Sequence, residues 1–387
     1  MDEQKHDDEE QNRVIAFRHP ARERRRLTIF LVFLVVLALA IGFFFVDGGR
    51  NWDRIQRFFT YGGKETVTSF DSAGAKALAV FRGGLAVADQ DGLTVYDQNG
   101  REEFLAAMSL SSPAVCAAED YILGYDVGGT ALALVNKSGR AVLQDAAEGR
   151  LLDADLAPDG YLCFTSAGSS AKSVLSVYSK NQRNSFTVYS ASRYLTACTV
   201  AQGGKMVCAV ALGQKDNVFE STAVLYRTDT EEPVAEVSLG NQLIYDLRFW
   251  GSGTVCAVGE ERLVVFTTKG KVLGEYACAG VAAYSLQGDG FAALQLPSAQ
   301  GGSGWDLVTV GEKGQELGRV SVAETGMHLS AQGKYLALLT ATGLSIYSRT
   351  LQLWASSPDA AGADGVLMCA DGSALLIEGQ TARRYLP

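Results

Sequence analysis

The segment GLAVADQDGLTVYDQNGREE, residues 84–103, contains the pattern that decides the fold. An apolar run is followed by an Asp-Gly turn, an alternating run that ends in Tyr-Asp, and a second turn that ends in Gly100. Short apolar or alternating runs bounded by Gly, Asp and Asn predict β-strands, and Asp-Gly pairs favour the tight turns of hairpins. This stretch therefore predicts antiparallel strands joined by short turns.

Related units recur along the rest of the chain. With the second strand of each unit as the reference, the eight units begin near Leu85, Tyr121, Tyr161, Met206, Val255, Phe291, Tyr335 and Leu375. Their spacing averages about forty residues, the period of a four-stranded propeller blade. Small apolar segments, such as ALAVFRGG at 77–84, precede these strands and suit the crowded centre of a ring. The sequence therefore predicts an all-β fold, an eight-bladed β-propeller, with seven blades as the fallback.

The end of the chain predicts how the ring closes. The last unit supplies three strands before Pro387, and the segment ETVTSF at 65–70 belongs to no unit. We predict that this N-terminal strand pairs beside residues 381–386, which completes the last blade and leaves no open sheet edge. Two β-sandwiches and a β-helix are the competing folds, but the first predicts no such closure and the second predicts shorter, more uniform coils. The propeller is accordingly assigned to residues 65–387.

A long apolar segment, LTIFLVFLVVLALAIGFFFV at 27–46, precedes the repeats and contains no charge. At about 1.5 Å per residue, twenty residues span the roughly 30 Å hydrocarbon core of a bilayer. A cleaved signal peptide is the alternative, but its apolar core is shorter and ends at small residues, whereas this segment ends in Phe-Phe-Phe-Val. We therefore predict a retained transmembrane helix that contacts membrane lipid through Leu27–Val46.

Charges on either side of this segment predict its orientation. Six arginines lie between residues 13 and 26, and only Arg50, Arg54 and Arg57 follow closely, so the N-terminus should be inside. We predict a cytoplasmic tail at 1–26 and a single-pass protein of the cell membrane with its propeller outside. The tail holds seven acidic and seven basic residues, so the external part has 27 Lys plus Arg against 36 Asp plus Glu. It has no basic footprint, and nucleic acid is excluded as a partner.

The segment between the anchor and the repeats, residues 47–64, is predicted to be a juxtamembrane linker or an interfacial helix. Trp52, Ile55, Phe58 and Phe59 fall on one face of a helical projection. An apolar aromatic face suits a helix lying on the outer leaflet, although a partner-binding segment would have the same pattern.

Two turn sequences and the anchor together suggest a family. Residues 96–100 (YDQNG) and 157–162 (APDGYL) resemble the turns of WD-repeat and quinoprotein-type propellers. With its N-terminal anchor, the whole chain is similar to an uncharacterised family of bacterial membrane-bound propeller-like proteins. This resemblance implies the fold over residues 65–387, and such propellers serve as scaffolds, assembly factors or enzymes. The Trp-Asp dipeptide is missing from the strand ends, and no tryptophan-docking repeat is found, so no quinone cofactor is expected.

The cysteines and histidines limit the chemistry that the external part can perform. Seven cysteines lie among Ala and Val in predicted strands, where a thiol acts as a small apolar side chain. Cys198 and Cys208 flank a Gly203–Gly204 turn, so a disulfide between them stays open as a possibility. His328 is the one histidine outside the tail, and no C-x-x-C occurs. The sequence therefore predicts no metal site and no catalytic triad.

Carboxylates are the remaining candidates for catalysis. Asp153, Asp155 and Asp246 fall on predicted inner strands, and Glu260 and Glu261 fall in a turn. A propeller can place two acids across its central funnel for glycoside hydrolysis. The repeated turn of sialidase-type propellers is not found, so we interpret these acids as ordinary solvated positions. The DQDG at 89–92 similarly fits a hairpin turn rather than a calcium loop.

Binding is the function that the sequence favours. Three predicted second-to-third-strand turns are long, at 167–172, 212–220 and 297–304, and they share one face of a propeller. The first candidate binding residues on this face are Lys215, Asp216, Asn217, Phe219 and Trp305. We predict a binding or assembly platform for a protein or a cell-wall ligand. The alternative is an exported carbohydrate hydrolase or lyase with carboxylates in the central funnel.

Overall fold

The computed structural model describes residues 20–45, 49–72, 74–181, 183–215, 217–298, 304–324 and 326–387. Residues 1–19 of the predicted tail and the predicted binding residue Asp216 lie outside these ranges. The chain divides into two compact units, Met1–Phe59 and Thr60–Pro387, which are described separately.

The first unit is helical. Helix α1 (Pro20–Phe45) contains an apolar stretch, Leu27–Phe44, that could span a membrane or serve as a signal anchor. Helix α2 (Arg50–Tyr61) begins in this unit and lies within the segment 47–64, the predicted juxtamembrane linker or interfacial helix. Its Trp52, Phe58 and Phe59 are exposed, whereas Asp53 and Arg57 are buried. The short α2 therefore presents aromatic rings to its surroundings and buries polar groups.

The second unit is a ring of eight antiparallel, four-stranded sheets, which confirms the predicted eight-bladed β-propeller. Blade 1 contains β2 (Ala77–Phe81), β3 (Gly84–Asp89), β4 (Gly92–Tyr96) and β5 (Glu102–Ala107). Blade 2 contains β6 (Pro113–Ala117), β7 (Tyr121–Asp126), β8 (Leu132–Asn136) and β9 (Ala141–Gln144). Blade 3 contains β10 (Leu151–Leu156), β11 (Leu162–Ala167), β12 (Ser173–Tyr178) and β13 (Asn184–Ser190). Blade 4 contains β14 (Tyr194–Val200), β15 (Met206–Lys215), β16 (Val218–Arg227) and β17 (Pro233–Gly240).

The second half of the ring repeats this order. Blade 5 contains β18 (Ile244–Trp250), β19 (Thr254–Gly259), β20 (Arg262–Thr267) and β21 (Val272–Ala277). Blade 6 contains β22 (Ala283–Gly288), β23 (Phe291–Pro297), β24 (Trp305–Gly311) and β25 (Glu316–Val322). Blade 7 contains β26 (His328–Gln332), β27 (Tyr335–Thr340), β28 (Gly343–Ser348) and β29 (Leu353–Ser357), followed by a 3-10 turn, Pro358–Ala360. Blade 8 contains β30 (Gly365–Met368), β31 (Ala374–Glu378) and β32 (Thr381–Tyr385), with β1 (Val67–Ser69) as its outer strand.

Strand β1 closes the ring as the strand count predicts. It pairs antiparallel with β32, with Val67 opposite Arg383 and Ser69 opposite Thr381. Two further backbone hydrogen bonds extend the pair, from Phe70 N to Gln380 O at 2.9 Å and from Arg384 N to Thr66 O at 2.8 Å. The first β segment of the chain therefore completes the last blade.

A buried arginine holds the seam between blades 8 and 1. Arg384 of β32 is 1% exposed, and its Nη2 donates to the carbonyl oxygen of Gly83 in the first turn of blade 1. Its Nη1 donates to Ser373 Oγ at 3.3 Å within blade 8, and its guanidinium carbon lies 4.4 Å from the ring centre of Tyr61. One side chain therefore joins the last blade, the first blade and the segment that leads into the ring.

The two faces of the ring are distinct. The mouth face carries the second-to-third-strand turns and the connections between blades, and the entry face carries the other turns. Because β1 runs from the entry face to the mouth face, residues 61–66 reach the propeller at the entry face, beside Gly83 and Arg384. Residues 61–66 therefore join the ring on the face opposite the mouth.

The turn at Asp97–Gly100 shows why the repeat sequence specifies these hairpins. Asp97 Oδ1 accepts hydrogen bonds from the backbone N–H groups of Asn99 at 2.8 Å and Arg101 at 2.9 Å. Gly100 has a φ of 80°, a left-handed conformation that glycine adopts without a steric cost. An Asp side chain that caps its own turn and a following Gly are the features that favour such turns.

The core lies between neighbouring blades and contains most of the thiols. Cys198 packs with Cys163 between blades 3 and 4, whereas Cys208 packs between blades 4 and 5. The β14–β15 register sets Cys198 opposite Ala209 and Thr199 opposite Cys208. The prediction of a possible Cys198–Cys208 disulfide is therefore wrong. The two cysteines are offset by one position in the strand register, so their side chains point to opposite faces of the sheet. Both are free thiols in this structure.

Candidate functional site at the channel mouth

Three consecutive innermost strands have the same irregularity at the mouth face. The register shifts by one residue between Leu151 and Asp153 in β10, between Leu195 and Ala197 in β14, and between Ile244 and Asp246 in β18. The additional residues are Leu152, Thr196 and Tyr245. A β-bulge re-aims a side chain and is common beside functional sites. Leu152 and Tyr245 are exposed at the channel opening as a result.

A cavity of about 480 Å³ opens beside Tyr245. It is lined by Tyr245, residues 281–283, Tyr284, Met327, His328 and Leu329, which come from the beginnings of the innermost strands of blades 5, 6 and 7. The rings of Tyr245 and Tyr284 are nearly parallel, with an angle of 11° and centres 6.2 Å apart. Tyr245 is 47% exposed and Met327 is 50% exposed. The opening of the channel is therefore an accessible pocket with aromatic and apolar walls.

Asp153 lies on β10 directly after the bulged residue Leu152. Its Oδ2 accepts a hydrogen bond from Cys198 N of blade 4 at 2.8 Å, and its Oδ1 accepts one from Tyr125 Oη at 3.4 Å. Removal from water raises the pKa of Asp153 to about 7, and the nearby carboxylates of Asp246 and Asp155 act in the same direction. The interpretation of this acid as an ordinary solvated position is therefore wrong.

Asp246 occupies the corresponding position after the bulged Tyr245. Removal from water raises its pKa to about 6, and Asp155 contributes in the same direction while Arg248 opposes the shift. The same environment raises the pKa of Tyr284 to about 12, through burial and then through Asp246 and Asp153. Among the described residues, no basic side chain forms an ion pair within 4 Å of the Asp246 carboxylate. Asp246 is thus a partly desolvated acid on the strand that carries Tyr245.

Asp155 has a different role because its oxygen atoms connect two blades. Asp155 Oδ2 accepts from Thr199 Oγ1 at 2.7 Å and from Val200 N at 3.2 Å. Thr199 Oγ1 in turn accepts from Phe249 N of blade 5 at 3.2 Å. The N–H groups of the innermost strands would otherwise face the channel without a partner. Asp155 therefore stabilises the contact between neighbouring blades and is not a candidate for binding a ligand.

The same arrangement recurs on the other side of the channel. Ser285 Oγ of blade 6 accepts from Ala331 N at 3.0 Å, and Ser330 Oγ of blade 7 accepts from Met368 N at 2.9 Å. Each of these hydroxyl groups satisfies an N–H of the next innermost strand. Polar residues in otherwise apolar inner strands are the sequence signal for this arrangement, and it does not indicate catalysis.

Comparison with known proteins places the chain in a family. The family model described as "Family of unknown function (DUF5711)" matches residues 55–350, more than half of the chain. The chain belongs to this family. No curated protein matches it significantly.

Solved structures similar to this DUF5711 chain share its fold. The Dos1 propeller superposes with a TM-score of 0.54 at 9% identity, over 83% of this chain and 93% of that one. The C-terminal WD40 domain of Sif2 superposes with a TM-score of 0.56 at 12% identity, over 83% of this chain and 99% of that one. At such low sequence identities, the structural similarity establishes the propeller fold but does not indicate a specific ligand.

The binding residues predicted in blade 4 of the DUF5711 chain lie on an extended hairpin. Strands β15 and β16 continue to Lys215 opposite Val218, so most of the predicted 212–220 loop is strand, which is a correction. The residues of β15 and β16 on either side of the tip continue the antiparallel pairing. Asn217 lies in the turn between the two strands, with a φ of 62°. Phe219 pairs with Gln214 and is half-buried. The Lys215 side chain lies outside the described parts.

Trp305 lies apart from this hairpin, in blade 6 at the beginning of β24. It is half-buried and pairs with Pro297 and Val322. Residues 299–303 of the predicted 297–304 turn lie outside the described residues, and residues 168–172 form the turn between β11 and β12. The structure thus places Asn217, Phe219 and Trp305 on the mouth face but on two different blades.

A second cavity, of about 650 Å³, lies beside the blade 4 hairpin. Polar side chains that line it already form ion pairs or hydrogen bonds with one another. Arg193 Nη2 lies 2.6 Å from Glu236 Oε1, and Ser238 Oγ donates to Glu220 Oε1 at 2.7 Å. The channel mouth, where the side chains of Tyr245 and Met327 are about half exposed, is the stronger candidate. Sequence reasoning missed it because a one-residue bulge leaves no mark in an apolar strand.

Proposed function

We propose that this protein is a membrane-tethered, extracytoplasmic platform that binds a protein partner at the channel mouth. In this proposal Leu27–Val46 is the membrane anchor, residues 1–26 are cytoplasmic, and the propeller of residues 65–387 is outside. The observation that carries the binding role is the exposed aromatic and apolar cluster around the 480 Å³ cavity.

The composition of the mouth supports a protein ligand. Exposed large apolar side chains at this face include Leu152, Tyr194, Leu243, Tyr245 and Met327. Contiguous exposed apolar surface on a soluble ring marks an interaction site, and aromatic residues are enriched among the anchors of protein interfaces. Each such side chain, once fully covered by a partner, contributes about 1.5–3 kcal/mol. The propeller fold itself, shared with WD40 domains, favours a protein-binding or scaffold role.

The attachment of the chain supports the tethered arrangement. Residues 61–66 join the ring at the entry face, so a partner can approach the mouth face without displacing them. The apolar Leu27–Phe44 stretch and the arginines before it favour an inside N-terminus. A reporter fused after Pro387 tests this topology. Alkaline phosphatase should be active there and a cytoplasmic fluorescent reporter should not, and the reverse result would reject the external location.

Photocrosslinking in the native membrane tests the platform. A benzoylphenylalanine at position 245 should capture a discrete protein, which is then purified and tested for direct binding. Lys269 is the matched control position, because it lies in an exposed turn of the same blade at the entry face. Equal capture from both positions, or no direct binding by the purified protein, would contradict a mouth-face platform.

An exported carbohydrate hydrolase or lyase is the second candidate function. The raised pKa values of Asp153 and Asp246 favour it, since catalytic acids need such shifts. The hydrogen bonds that Asp153 accepts from Cys198 and Tyr125 argue for a structural role instead. Purified protein incubated with peptidoglycan and chitin oligosaccharides between pH 5 and 8 tests this candidate. Product release that disappears in both Asp153→Asn and Asp246→Asn would establish an enzyme, and no release from wild type would dismiss one.

A further inference from the structure

We propose that helix α2 (Arg50–Tyr61) lies on a phospholipid surface and inserts the aromatic side chains of Trp52, Phe58 and Phe59 into the lipid interface. The sequence pattern of this helix fits either lipid or a protein partner, and the structure adds the observations that select lipid. The inference rests on the membrane anchor of the proposed function and goes beyond it, because the mouth-face platform needs no second contact with the membrane.

Helix α2 has the reverse of the usual arrangement of polar and apolar side chains. Surface helices of water-soluble proteins bury an apolar face and expose polar residues. In α2 the charged residues Asp53 and Arg57 are buried, whereas Trp52 is 52%, Phe58 63% and Phe59 80% exposed. At about 100° per residue, the buried pair and the three rings lie on opposite sides of the helix. The side that a helix normally hides from water is therefore the side that α2 presents.

The end of the apolar helix α1 fixes the level of this aromatic face. Asn51 Nδ2 donates to Phe43 O at 2.7 Å, and the ring of Trp52 meets the ring of Phe44 edge to face, with centres 6.0 Å apart. Phe44 is the last residue of the stretch that can span a bilayer, so it belongs where the hydrocarbon meets the headgroups. Trp52 is held beside it, at the level where tryptophan and tyrosine are enriched in membrane proteins.

The remaining side chains of the exposed side suit the same environment. The rings of Phe58 and Phe59 contact each other edge to face, with centres 5.9 Å apart, and form a continuous apolar surface with no groove for a protein segment. Arg54 is exposed and lies one turn before Phe58, at the border of the aromatic face. A long basic side chain at such a border reaches the lipid phosphates while the rings insert. The helix therefore matches the apolar and the anionic layers of a bilayer surface together.

Photocrosslinking in vesicles tests this placement. Full-length protein with benzoylphenylalanine at position 59 is reconstituted into vesicles of phosphatidylcholine and phosphatidylglycerol, irradiated, and analysed for lipid adducts by mass spectrometry. Position 60 is the matched control, because Thr60 is also exposed but lies about 100° further round the same helix. Transfer of an aromatic side chain out of water should give about tenfold more lipid adduct from position 59 than from position 60. The adducts should form on the upper acyl carbons, since interfacial helices insert by about 5–10 Å.

A third position separates failure of this inference from failure of the anchor. Val35 is exposed near the middle of the apolar stretch, so benzoylphenylalanine there should crosslink to the terminal acyl carbons. Lipid adducts from position 35 with equal yields from 59 and 60 would overturn the surface-bound helix and leave the anchor intact. An absence of lipid adducts from position 35 would reject the anchor and, with it, this inference.

The same variant distinguishes lipid from the other possible occupants of the aromatic face. A crosslinked dimer of the chain in vesicles, or a protein adduct in place of lipid in native membranes, would overturn the inference in favour of a protein contact. Because Phe59 is mostly exposed, the position 59 variant should melt at the wild-type temperature, which guards against a folding defect.

Discussion

Replacing Arg384 with methionine should open the seam between blades 8 and 1. Two hydrogen bonds from the charged donor to oxygen atoms, Gly83 O and Ser373 Oγ, are lost at about 1.5–3 kcal/mol each, together with a weaker one to Cys369 Sγ at 3.7 Å. The contact with the ring of Tyr61 adds about 0.5–2 kcal/mol. Methionine keeps the apolar stem and removes the cost of a buried charge, whose Nε has no hydrogen-bond partner among the described residues. We expect a net loss of about 3 kcal/mol in the free energy of unfolding.

This loss can be measured both globally and at the seam. Unfolding entropy scales with size, so about 3 kcal/mol in a ring of this length corresponds to a melting temperature lower by about 4 °C. Hydrogen exchange of the β1 amides, Val67–Ser69, should accelerate more than exchange in the remaining blades. Arg383→Met is the matched control, because Arg383 makes surface ion pairs with Glu378 and Glu65 that are worth less than about 1 kcal/mol. If both variants melt together, or β1 exchange is unchanged, the reasoning on Arg384 is refuted.

Two further substitutions test the channel. The raised pKa of Asp153 means that the folded state binds more protons than the unfolded state between about pH 4 and 7, so wild-type stability should fall as pH rises through this window. Asp153→Asn should flatten that dependence in urea unfolding at pH 5 and pH 8, and an unchanged slope would contradict it. The titratable groups that face Asp153 are Tyr125, Cys198, Asp155 and Asp246. Thr199→Val removes the acceptor of Phe249 N and should cost about 1–3 kcal/mol, seen as a lower urea midpoint.

The fold could be predicted because its information is periodic. Turn residues such as Asp97 and Gly100 act locally, and their repetition gives the blade count without any knowledge of distant contacts. The deficit of one strand before Pro387 likewise predicts the pairing of β1. The blade count and the pairing of β1 depend only on the order of residue types along the chain, which can be read from the sequence itself.

The site could not be predicted because it depends on single-residue offsets and on neighbours from other blades. The bulge at Tyr245 adds one residue to an apolar strand without changing its appearance. A similar offset of one residue separates Cys198 from Cys208. The pKa of Asp153 is raised first by burial and then also by Asp246, which lies two blades further along the ring. The sequence predicts a loop at 212–220 because polar residues in an extended hairpin resemble those of a turn.

The pairing of β1 with β32 also constrains how the protein is made. Among the strands of the ring, β1 is translated first and its partner β32, more than 300 residues later, is translated last. Contacts between such distant residues form late because the loop that they close is long. Seven blades can therefore assemble during synthesis while the eighth waits for the final residues. A nascent chain that stops before Thr381 leaves β1 without its neighbour, so the channel is finished only after β32 has been translated.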